Sequence, residues 1–72
     1  MNVKYAVIIE NTSEGLGAYV PDLPGCAVAG TTKAEVIQLI QDAMVLHLEG
    51  LRDEGMPIPE PSSSVEFVEV AA

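Results

Sequence analysis

At 72 residues, with 11 acidic against 3 basic side chains and a net charge of −8, the chain is one small acidic domain. That balance excludes the usual nucleic-acid binder, which needs clustered Lys and Arg to displace counterions from phosphates; a basic protein partner fits better. A hydrophobic fraction of 49% places the charge on a folded surface and not on a solvated coil, and a core this small is often completed by pairing with another chain, so a homo-oligomer, dimer or tetramer, is expected.

No apolar run approaches the roughly 18 residues that span a bilayer, and the N-terminus lacks a secretory pattern. The expectation is a cytoplasmic protein without membrane association. Cys26 is the single cysteine. It can form no disulfide within the chain and reads as a small apolar filler.

Val3, Tyr5, Val7 and Ile9 alternate with Lys4, Ala6, Ile8 and Glu10. This period of two predicts a first strand with its odd-numbered side chains on one face. The turn-rich stretch 11–15 then leads into a returning strand over Leu16–Val20, a hairpin. Pro21-Asp22-Leu23-Pro24-Gly25-Cys26 follows: two prolines fix φ and Gly25 permits a conformation that other residues resist, so the segment holds one shape with little help. Ala27–Gly30 is long enough for a short third strand.

Thr32-Lys33-Ala34-Glu35 matches a capping box and starts a helix. Val36, Ile37, Ile40, Ala43, Met44, His47, Leu48 and Leu51 fall on one broad face, which Leu39 and Leu46 widen toward what could be a second chain. Gly55 supplies the C-terminal cap, and Pro57 and Pro59 forbid continuation. After the connector 61–64, Val65–Val70 is predicted as a last strand, with a phase break at Val68. The fold class is therefore α+β, in the order β-β-β-α-β, an antiparallel sheet with one helix packed on one face and a single domain over residues 1–72.

Catalytic chemistry finds little footing. His47 is the lone histidine and reads as a buried, hydrogen-bonded core residue. Gly15-Leu16-Gly17 precedes a strand and lacks the lysine of a phosphate loop. The serines at 62–64 have no recognisable base beside them. No catalytic residue, cofactor or metal is expected, and the chain reads as a protein that is not an enzyme. A metal-dependent nuclease would need several inward carboxylates, and Glu10 is the only good strand carboxylate in the first three strands.

The ordered set Tyr5–Glu10, Gly15, Val20-Pro-Asp-Leu-Pro-Gly-Cys26, Gly30-Thr-Thr-x-x-Glu35 and Gly55-x-Pro-Ile-Pro-x-Pro61 resembles the HicB family of antitoxins over about residues 3 to 70. The resemblance implies a partial ribonuclease-H-like domain without that fold's catalytic carboxylates. It also implies an antitoxin that neutralises a small basic HicA-type toxin cleaving messenger RNA. Val20, Val36 and His47 depart from commoner family residues and read as core variation. Many members continue into a DNA-binding segment; with the chain ending at Ala72, direct nucleic-acid binding is not expected. On this reading Glu10 and Glu14, together with the turn Asp22, Leu23, Pro24, Gly25 and Cys26, form part of the toxin-facing surface, where acidic groups would meet the toxin's positive charge. The alternative is a stand-alone homo-oligomeric binding module whose partner is not a toxin.

Overall fold

The computed structural model describes residues 2–72 and consists of three strands followed by one helix: β1 Ile8–Thr12, β2 Gly15–Tyr19, β3 Ala27–Gly30 and α1 Lys33–Asp53. The sheet is an antiparallel meander in the order β1-β2-β3. β1 pairs with β2 from Ile8 opposite Tyr19 to Thr12 opposite Gly15, and β2 pairs with β3 from Leu16 opposite Gly30 to Tyr19 opposite Ala27. This register sends Ile9, Leu16, Ala18, Val28 and Gly30 to the helix side, and Ile8, Glu10, Thr12, Gly17, Tyr19, Ala27 and Ala29 to the other.

The expected α+β class is therefore what the chain adopts, with two changes of boundary. The first strand starts at Ile8 and not at Val3, because β2 ends at Tyr19 and the chain then leaves the sheet, so the stretch 3–7 has no neighbour on that side. The hairpin is also tighter than the turn-rich stretch 11–15 suggested: only Ser13 and Glu14 lie outside the ladder, and the Thr12 hydroxyl accepts from the Glu14 N–H at 3.3 Å. At Gly15, φ is +146°, and a Cβ would meet the Gly30 carbonyl oxygen across the ladder, so glycine is required there.

The last strand is a larger correction. Residues 65–70 join no ladder, and Phe67, Val68 and Val70 are 95%, 80% and 79% exposed. An alternating pattern states which faces a strand would have; it does not supply an edge within the same chain to receive it. What the chain does hold is the connector before that segment: the Tyr5 hydroxyl donates to the Pro59 carbonyl, and Ser62 and Ser63 both bond to Asp22.

The helix begins as its sequence dictates. Thr32 is the N-cap, with extended backbone, and its hydroxyl accepts from the Glu35 N–H at 3.2 Å. The Glu35 carboxylate reaches back one residue further than in the usual capping box, accepting from the Thr31 N–H at 2.7 Å. At the other end Gly55, with φ +69°, donates to the Arg52 carbonyl while Met56 donates to that of Leu51, the two-bond closure of a Schellman motif. Between these caps Val36 and Ile40 are fully inside, and Ala43, Met44 and Leu48 pack against the core from the same stripe. The helix lies over β3 and β2, so the helix-side face of β1 extends beyond it. His47 is half-buried on this face and carries no hydrogen bond from its ring, unlike the buried, bonded residue expected.

Candidate partner-binding surface

The six-residue turn between β2 and β3 folds as two successive reverse turns. Leu23 N–H donates to the Val20 carbonyl at 3.1 Å, Cys26 N–H to the Leu23 carbonyl at 3.0 Å, and Val20 N–H to the Cys26 carbonyl at 3.1 Å, closing the loop across its base. Each turn has proline at its second position, and the second turn places Gly25 at the third with φ +85°, the requirement of a type II turn. The result turns apolar side chains inward: Leu23 is 0% exposed and Val20 2%, in one cluster with Ala18, Cys26, Val36 and Ile40.

That burial changes the expected site. Leu23 and Cys26 have almost no surface to offer a partner, because they are the part of the turn that anchors it to the helix and sheet. Desolvation pushes the Cys26 thiol up from its ordinary value, which keeps it protonated and unreactive. Pro24 and Gly25 are exposed at the tip.

Asp22 has a different occupation from open surface charge. Its carboxylate accepts from the N–H groups of Ser62 and Ser63 at 2.9 and 3.0 Å and from their hydroxyls at 3.0 and 2.8 Å. The Ser63 amide, then the Ser62 amide and the two hydroxyls, favour the ionised form and lower its pKa to about 2. Sequence reasoning missed this latch, although a lone aspartate in a rigid turn and a serine triplet forty residues on were its two halves.

Glu10 and Glu14 are exposed. Glu10 stands on the open face of the sheet opposite Gly17, and it is the only acid among the strand residues of that face. Glu14 lies in the hairpin at the start of β2, whereas Asp22 lies past its end. The five residues of β2 put about 17 Å between those two ends. The acids of the expected toxin-facing surface are therefore spread along the sheet, with Glu10 between along the strand direction, and the turn at 21–26 forms one rim. Around Glu10 the open face is low in relief: Gly17, Ala27 and Ala29 leave a shallow platform, with Tyr19 40% exposed at its margin. Among the described residues no group of three His, Cys, Asp or Glu could hold a metal ion, and no helix is long and apolar enough to cross a membrane.

This arrangement defines a class: small α+β domains in which one helix backs a three-stranded meander and the other sheet face stays open. Comparison with known proteins narrows it. The model of the HicB-like antitoxin of bacterial toxin-antitoxin systems matches residues 5–71. Antitoxin HicB 2 of Photorhabdus laumondii is 35% identical over 99% of this chain and 52% of its own length, and an uncharacterised 14.9 kDa protein of Haemophilus phage HP1 is 30% identical over 89% of this chain and 48% of its own. A chain in the solved HicA3 and HicB3 toxin-antitoxin complex is 38% identical and superposes with a TM-score of 0.71, covering 83% of this chain and 70% of that one. The chain belongs to the HicB-like antitoxin family. It spans about half the length of these two curated relatives.

Proposed function

We propose that this chain neutralises a small, basic HicA-type toxin that cleaves messenger RNA, by docking against it through the open face of the sheet and occluding it. The observation that carries this reading is the 38% identity and shared fold with a chain of the HicA3 and HicB3 complex. Physical chemistry agrees with it. An RNA-cleaving protein presents positive charge to its substrate, and a domain of net charge −8 can occupy the same ground and be steered toward it. Glu10, midway along the edge strand β1, is the residue best placed to meet a cation, with Glu14 and the Asp22–Cys26 turn at the two ends; Leu23 and Cys26 serve by bracing that turn from within. The nuclease alternative gains nothing from the geometry, since Glu10 has no second strand carboxylate on its face.

Titration of the purified chain into a cognate HicA-type toxin in a calorimeter tests the proposal. The expected result is a complex that Glu10→Lys weakens by roughly tenfold or more and that Glu49→Lys, on the outer side of the helix, leaves unchanged. Binding that is equally strong in the Glu10→Lys variant, or absent in the wild type, would overturn it.

A further inference from the structure

We infer, resting on the toxin docking proposed for this chain, that Glu60 is a further partner-binding residue. The connector after the helix carries it to the turn at 21–26, where it receives an arginine or lysine of the basic partner. The rim at that end of the sheet is then built from two segments fastened together, and Asp22 is the fastener.

The connector is tied to the body at two points. The Tyr5 hydroxyl donates to the Pro59 carbonyl, and the Asp22 carboxylate takes the amides and hydroxyls of Ser62 and Ser63. Between the two ties lie only Glu60 and Pro61. So short a span, held at both ends, has little freedom. The prolines on either side of Glu60 fix φ at 59 and 61, and Pro61 confines Glu60 itself to extended backbone. All five prolines of the chain, at 21, 24, 57, 59 and 61, fall in the two segments that Asp22 joins.

This stiffness does not serve the core. Glu60, Pro61, Ser62 and Ser63 are exposed, as are Pro21, Pro24 and Gly25, and Leu23 beneath them is already held by the bonds of its own turn. Exposed backbone kept in one conformation suits recognition, because the cost of ordering it is met before a partner arrives.

Charge supplies the partner's chemistry. Each Asp22 oxygen accepts two bonds from the serines, one oxygen the hydroxyls and the other the amides, so that carboxylate is engaged with the connector. The bonds that hold the connector run through Pro59, Ser62 and Ser63 and leave the Glu60 carboxylate out. Glu60 stands within about 7 Å of chain from the Ser62 amide. Two acids therefore make this end of the molecule negative, and the outer one is presented on a rigid support. A guanidinium or ammonium group of an RNA-cleaving protein is the complementary partner.

Calorimetric titration with a cognate HicA-type toxin tests this on the wild type, Glu10→Lys, Glu60→Lys, the double variant Ser62→Ala/Ser63→Ala, and the triple variant that adds Glu60→Lys to it. Glu60→Lys is expected to weaken binding about tenfold at ~0.1 M salt and to approach the wild type near ~1 M, where the screening length is about 3 Å. The serine double variant, with the connector released, is expected to weaken binding about threefold. In that background Glu60→Lys should cost clearly less than in the intact chain, the mark of two groups acting together. Circular dichroism of Glu60→Lys should match the wild type, since the side chain is exposed. Undiminished binding by Glu60→Lys, with Glu10→Lys weakened, overturns this inference and leaves docking through the open face standing. A loss in Glu60→Lys that persists at high salt overturns it too, as does full additivity in the triple variant. A wild type that binds no such toxin overturns the proposed function and this inference together.

Discussion

Leu23 is the residue on which the candidate surface depends, although it presents no surface itself. Sitting between two prolines in a turn, it packs at 0% exposure against the sheet and the first turns of the helix. Leu23→Ala is expected to cost about 3 kcal/mol in thermal or urea unfolding, the range for a buried leucine whose site cannot collapse. In a domain of this size that is a large part of the total stability. Asp22, its neighbour, acts in the opposite direction, outward to the connector at Ser62 and Ser63. Its folded pKa is lowered to about 2 from 3.8, so the latch contributes fully above the unfolded value and is lost as pH falls from about 4 through 2. The protection of the Ser62 and Ser63 amides relative to a free peptide at the same pH is expected to fall over that window, and Asp22→Asn should show the lower protection at neutral pH. These two side chains also show where reading the sequence fell short. A Pro-Gly turn looks like surface, and although Cys26 reads as an apolar filler, nothing in local pattern says that the turn's one leucine faces inward or that its aspartate is bound forty residues away.

At the scale of elements, the helix was the most legible part. Its cap and its glycine stop are local rules and both are realised; of the expected stripe Val36, Ile40, Ala43, Met44 and Leu48 pack into or against the core, whereas Ile37, expected on the same face, is 46% exposed. Thr32→Ala removes the acceptor for the Glu35 N–H and is expected to cost about 1 kcal/mol by the same unfolding measurement. The hairpin and third strand were legible for a similar reason, since alternation and glycine placement are short-range signals. Strand length and the fate of Val65–Val70 were not, because they depend on which edge is available in three dimensions. β1 could not extend to Val3 once β2 ended at Tyr19. The segment 65–70 illustrates the same point more sharply: its alternation suggests a strand, while the edge that would receive it is not something a local pattern specifies.

The whole molecule is a two-sided object. Its helix side holds the core and its closed turn, and its other side is an open face carrying Gly17, Ala27 and Ala29, with Glu10 midway along the edge strand β1. The chain belongs to the HicB-like antitoxin family and carries a net charge of −8; under the proposed function the open face is where the toxin docks. Docking through the open face would leave the outer surface of the helix uncovered. The most direct measurement is a titration of the isotopically labelled chain with a HicA-type toxin, followed by amide chemical shifts residue by residue. Shifts concentrated on Ile8–Thr12, Tyr19 and Ala27–Ala29, with the outer helix around Gln41 and Glu49 unmoved, are the expected result. Shifts centred on that outer helix surface, with the open face undisturbed, would contradict it.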